Sequence, residues 1–107
     1  MKIFNSVSLN MLNVTDQIQL NLQRITPTEA RQLLLENIES FIGHQDTANI
    51  ISKLLNLPIP FNRSIGTIQA GEKALIAQYI GPRLPEGSKT LPDGARIDFF
   101  ILSYTNL

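Results

Sequence analysis

The 107-residue sequence contains no cysteine, no tryptophan and only one histidine. Without cysteine there are neither disulfides nor thiolate metal sites, which fits a cytoplasmic protein and implies no redox chemistry. A lone histidine gives no support to a multi-histidine metal centre. Net charge is missing too: nine Lys and Arg balance nine Asp and Glu, so the diffuse positive field of a protein that binds long DNA or RNA is absent. A small anion held by a few arginines is compatible with that balance. No apolar run is long enough to span a bilayer, and the first residues lack the core of a signal peptide. A soluble protein without a membrane partner is therefore expected. Walker, dinucleotide, HExxH and GxSxG patterns are absent as well, which removes the usual signatures of nucleotide-triphosphate, zinc-protease and serine-hydrolase chemistry.

What is present suits a folded chain. Apolar residues make up 43% and charged ones 17%, with no low-complexity run, and the length fits one domain over residues 1–107. Lys2 to Asn5 reads as a short strand, followed by a structured loop or helical turn through Asn13. From Thr15 to Arg24 the chain alternates, with Ile18, Leu20 and Leu22 on one face and Gln17, Gln19, Asn21 and Gln23 on the other. This pattern predicts a strand with one face buried. Thr26-Pro27-Thr28-Glu29 combines a capping threonine, a first-turn proline and a glutamate three residues after the cap, so it predicts a helix start. Ala30, Leu33, Leu34 and Ile38 recur at helical spacing, and the helix is expected to run to about Glu39. Phe41-Ile42-Gly43 then turns the chain into a second helix, which Pro58 and Pro60 must end.

Ile65 to Gln69 and Ala74 to Ile80 read as a hairpin about Ala70-Gly71-Glu72-Lys73, with Ala74-Leu75-Ile76-Ala77 apolar enough to be central. Gly81 to Gly94 is a long ordered loop, a kind of segment that is often functional. Arg96 to Tyr104 is a last apolar strand. The expected architecture is α/β (mixed α+β): a mixed sheet of about five strands, in the order β-β-α-α-β-β-β, with two main helices packed on one face.

The candidate chemistry gathers in the polar residues between these elements. His44 follows Gly43 and precedes a helix, where free N–H groups and the helix dipole favour a bound anion. The same dipole disfavours imidazolium, so an acid role needs an anionic neighbour, for which Glu86 is a candidate. The competing role for His44 is to close the helix end. Arg63 follows a proline-rich loop, and Arg83 sits in Gly81-Pro82-Arg83-Leu84-Pro85-Glu86-Gly87. Both are pre-positioned guanidinium groups suited to phosphate, with a solvated turn bearing a surface ion pair as the alternative at Arg83. Ser8 and Asn10 can bind ribose hydroxyls or phosphate oxygens, or serve as turn residues.

With these residues in view, the chain resembles the viral ring nucleases, the type III anti-CRISPR enzymes of archaeal viruses and their relatives in bacteria, phages and mobile elements. Ser8-Leu9-Asn10-Met11-Leu12, Ile42-Gly43-His44 with Thr47, Asn62-Arg63, and Arg83-Leu84-Pro85-Glu86-Gly87 occur in the order and spacing of that family, over nearly the whole chain. The resemblance implies a small α/β homodimer that binds cyclic tetra-adenylate and cuts it, without metal or cofactor, into linear di-adenylates. It implies a catalytic role for His44, with Arg83 and Glu86 as the charged pair beside it, and ligand contacts from Ser8 and Arg63. Viral members generally carry Ser-Gln before the matching arginine and a second acid after the leucine. This sequence has Gly81-Pro82 and Pro85 instead, and looks like the bacterial branch. The other functional classes that the sequence admits are a non-catalytic module that sequesters cyclic oligonucleotides and an interaction protein of a mobile element.

Overall fold

Thr26 caps the first helix as its neighbours predict. In the computed structural model, which describes residues 1–107, Glu29 N–H donates to Thr26 Oγ1 at 3.1 Å and Thr26 N–H donates back to Glu29 Oε1 at 3.0 Å. This reciprocal pair satisfies two orphan donors of helix α1, Pro27–Leu34. The second helix, α2, spans Gln45–Leu55 and closes on Asn56 in the left-handed conformation, with Leu57 N–H reaching Ser52 O at 3.1 Å.

The strands are β1 (Lys2–Phe4), β2 (Ile18–Ile25), β3 (Glu39–Phe41), β4 (Ala74–Ile80) and β5 (Arg96–Asn106). They form one five-stranded sheet in the order β2-β5-β4-β1-β3. β1 is parallel to both β3 and β4, whereas β5 is antiparallel to β4 and β2. The sheet is mixed and the fold is α+β, as expected.

Each face of the sheet has its own core. On one, Ile3, Leu75, Ala77 and Phe99 pack with Ala30 and Leu34 of α1 and with Ile50, Ile51 and Leu55 of α2. Both helices therefore lie on that face. On the other, Phe4, Ile76, Leu102 and Tyr104 pack with Leu12 and Ile68 from irregular segments. Ala74 through Ala77 are all buried and central.

Three expectations are corrected. Helix α1 stops at Leu34 rather than near Glu39, because Glu39, Ser40 and Phe41 pair in parallel with Lys2, Ile3 and Phe4. That long-range pairing overrides the local helical pattern. Ile65 to Gln69 is no strand: its one β-bridge joins Ile68 to Leu12, and the segment covers the sheet through Ile68 in the second core. The true hairpin is β4–β5, joined by the long loop 81–95. Finally, the apolar face of β2 is open, with Leu20 and Leu22 47% and 52% exposed. β2 is an edge strand, and of its apolar face only Ile18 packs against the second core.

Gly66 shows how closely the cover fits. A Cβ there would lie 2.7 Å from ring atoms of Phe4 and Phe41, which stack at 5.0 Å between centroids. No helix is long and apolar enough to cross a membrane.

Candidate functional site

The three parallel strands β4, β1 and β3 end at the same edge, with β1 between its neighbours. Of the two strands parallel to β1, β3 lies on one side of it and β4 on the other, so the order of the parallel strands changes direction at β1. Ligands in open α/β sheets favour such a crevice beyond the carboxyl ends of parallel strands. Here those ends lead into Asn5-Ser6, Ile42-Gly43-His44 and the loop after Ile80.

A cleft of about 1160 Å³ occupies this position. His44, Arg63, Arg83, Glu86 and Gly43 all line it, although they lie up to 43 positions apart in the chain (86 − 43). Only three of its sixteen lining residues are hydrophobic, so it suits a polar ligand rather than an apolar one. Ser8 and Asn10 do not reach this cleft. They line a smaller cavity of about 170 Å³ that shares Asn5 and Ser6 with it, and Ser8 Oγ donates to Asn10 Oδ1. The two spaces meet along the polar end of β1.

His44 occupies both positions considered for it. Its side chain is exposed to the cleft, and its Nδ1 accepts from Thr47 N–H at 3.3 Å as the cap of α2. In the neutral ring that bond leaves the proton on Nε2, which has no partner within the chain. Thr47 Oγ1 also lies 3.1 Å from Nδ1. A hydroxyl can donate or accept, so a protonated Nδ1 can exchange the cap bond for a bond to Thr47 Oγ1. The imidazole is thus oriented in either state, with Nε2 remaining a donor.

The anion site at the start of α2 is narrower than the sequence suggested. Gly43 lines the cleft, but its N–H donates to Asn5 Oδ1 at 3.3 Å. Thr47 N–H is taken by His44. The first-turn N–H groups of Gln45 and Asp46 are left without acceptors in the chain, at the positive end of the helix dipole.

Arg63, Arg83 and Glu86 take part in none of the three ion pairs of the molecule, which are Lys2–Glu72, Arg24–Asp98 and Arg96–Asp98. The surface ion pair considered for Arg83 does not form. Both guanidinium groups keep all their donors for a ligand. The loop that carries Arg83 and Glu86 is fastened by Asp46, whose Oδ2 accepts from Gly87 N–H at 2.9 Å. Tyr79 holds the start of the loop by donating to Pro82 O.

Asn5, Ser6, Asp46, Gln78 and Tyr79 line the cleft and were not singled out from the sequence. Asn5, Ser6 and Gln78 owe their place to strand ends that become neighbours only in the sheet. Asp46 offered a signal, since it stands two residues after His44 in the first helical turn. No group of three or more His, Cys, Asp or Glu side chains gathers anywhere in the chain.

Residues 1–95 match the model of a family described as STIV B116-like. The chain belongs to the STIV B116-like family. One relative is the uncharacterized protein ORF117 of Acidianus two-tailed virus, 31% identical over 91 residues that cover 77% of each chain. The solved structure of B116 of Sulfolobus turreted icosahedral virus superposes with a TM-score of 0.74 at 26% identity, covering 95% of this chain and 97% of that one. The family is thus a viral one, and all 16 residues that line the cleft lie within the matched 1–95.

Proposed function

We propose that the cleft binds cyclic tetra-adenylate and cleaves it as a ring nuclease, giving linear di-adenylates and switching off type III CRISPR signalling. One observation carries this reading: His44, Arg63, Arg83 and Glu86 meet around a single polar cleft with none of their charges consumed by an internal ion pair. A phosphodiester is the ligand that such a set of donors fits.

The chemistry follows from the substrate. The ribose 2′-oxygen attacks the adjacent phosphorus, the bond from phosphorus to the 5′-oxygen breaks, and a 2′,3′-cyclic phosphate remains. The 2′-hydroxyl proton passes to the Glu86 carboxylate. Arg83 and Arg63 neutralise charge on the phosphorane, and His44 as imidazolium, with Nδ1–H toward Thr47 Oγ1, gives its Nε2 proton to the departing 5′-oxygen and is left neutral. No separate nucleophile has to be activated, so the reaction needs no metal. A homodimer belongs to the reading, because a fourfold repeating ring presents equivalent phosphates to two symmetric sites. The open apolar face of β2 is surface available to a second copy. Action on a signalling nucleotide places the protein in the cytoplasm.

The helix-capping bond of His44 favours a second reading, in which the imidazole is structural and the cleft sequesters the ring without cutting it. The test is incubation of purified protein with labelled cyclic tetra-adenylate in EDTA, with products separated by chromatography and mass measured by light scattering. Linear di-adenylate from a dimer supports the nuclease. Tight binding with intact ring supports sequestration, and absence of binding rejects both.

A further inference from the structure

We propose that Arg24 and Arg96, held by the buried carboxylate of Asp98, form a phosphate-binding subsite on the sheet face beside the cleft. Asp98 is only 6% exposed. Arg24 Nη2 donates to its Oδ1 at 2.9 Å, while Arg96 Nε reaches Oδ1 at 3.1 Å and Oδ2 at 3.2 Å. A buried carboxylate requires one countercharge. Here two guanidinium groups share it, so the trio keeps a net positive charge.

The donors left over face outward. Arg96 uses only Nε, which leaves both of its terminal nitrogens free. Arg24 uses one terminal nitrogen and keeps Nε and the other. Their side chains are 65% and 59% exposed for Arg24 and Arg96 respectively. Two forks fixed by one anchor have lost much of their rotamer freedom before a ligand arrives, and planar forks match the oxygen geometry of phosphate.

The sheet register connects the trio to the cleft. Asp98 pairs directly with Gln78, which lines the cleft, so the two side chains share a face. Arg96, two residues from Asp98, and Arg24, paired with Phe100, lie on the same face. Adjacent strands are about 4.8 Å apart, so the trio begins one strand from the cleft wall, within reach of the next phosphate of an oligonucleotide seated there. Assignment to that ligand rests on the proposed function; binding of phosphate itself does not.

The experiment has two arms. In the first, arginine side-chain resonances of the ¹⁵N-labelled protein are followed during titration with inorganic phosphate at low salt. Saturable shifts of Arg24 and Arg96, retained in Arg83→Ala and lost in Arg24→Gln, are expected. Arg24→Gln leaves Arg96 to neutralise Asp98, so the fold is preserved. Shifts that never saturate and match those of Arg31 on α1 overturn the proposal. So do shifts that follow protein concentration instead of phosphate, which assign the arginines to a contact between copies.

In the second arm, calorimetry with cyclic tetra-adenylate is expected to show affinity about tenfold lower in Arg24→Gln and a salt slope reduced by about one, the signature of one lost phosphate contact. Arg24→Lys is expected to recover the slope but not the full affinity. Unchanged affinity and slope in Arg24→Gln overturn the subsite. If the wild-type protein binds no oligoadenylate at all, the functional reading fails, and the phosphate titration still decides whether the arginine pair binds an anion.

Discussion

Asp46 Oδ2 accepts a hydrogen bond from Gly87 N–H at 2.9 Å, and this is the one hydrogen bond between helix α2 and the loop that carries Arg83 and Glu86. The other hydrogen bonds of that loop are local, from Tyr79 and Ser88 and across Pro92 to Ala95. Asp46 therefore ties the loop segment that carries Arg83 and Glu86 to the helix that His44 caps. Asp46→Ala is expected to speed hydrogen exchange at the Gly87 amide and to lower the cleavage rate by about tenfold, the order expected when catalytic groups lose their alignment. Asp46→Asn keeps an acceptor oxygen but loses the charge beside the helix dipole, so recovery in Asn isolates the hydrogen bond from the electrostatic effect. Equal rates for all three proteins would show that the loop is held by its packing alone.

His44 joins capping to chemistry, so alanine is a poor probe of either. His44→Ala is expected to lower stability by about 1 kcal/mol through the lost cap, seen as a lower denaturation midpoint. His44→Asn retains a good capping oxygen and removes only Nε2–H. This variant is expected to keep the fold and ligand affinity while cleavage falls about 10²-fold, the scale of a lost general acid. Single-turnover rates beside calorimetric affinities make the comparison. Wild-type cleavage by the asparagine variant would leave His44 a cap and nothing more.

Arg83 contacts no carboxylate, so its removal orphans no partner within the chain. Arg83→Ala is expected to leave the melting temperature unchanged and to weaken cyclic tetra-adenylate binding by about tenfold or more, the value of a charge-assisted contact. Cleavage should fall at least as far, because the phosphorane carries more charge than the phosphodiester. Arg83→Lys should restore part of the affinity, since it keeps the charge but not the two-pronged donor. Unaltered affinity in the alanine variant would return Arg83 to a solvated turn.

Gly66 is predicted to be a stability position with a functional consequence. A methyl group there meets two stacked rings at 2.7 Å rather than the end of a flexible chain. Gly66→Ala should destabilise the fold by about 1–3 kcal/mol, the usual cost of overpacking, as measured by urea denaturation. Phe4 and Phe41 end the strands that deliver Asn5 and His44 to the cleft. Their displacement should also weaken ligand binding. A variant with unchanged stability would mean that the covering segment shifts freely over the sheet.

The sequence by itself determined the features that neighbouring residues can specify. Thr26 and Glu29 are three positions apart, and their reciprocal hydrogen bonds need only the first helical turn. His44, Thr47 and the start of α2 form the same way. The apolar composition of Ala74 to Ala77 and of Phe99 to Leu102 required central strands, because no exposed strand can leave so much apolar surface in water. The tertiary structure decided the rest. Glu39 to Phe41 became a strand only because the edge of β1 lay open to it, and Ile65 to Gln69 forms no strand, with Ile68 N–H donating to Met11 O and Ile68 O accepting from Tyr104 Oη. The cleft is a decision of the same kind. Asn5, His44, Arg63, Gln78 and Arg83 share no local pattern, and what brings them together is the common edge at which three parallel strands end.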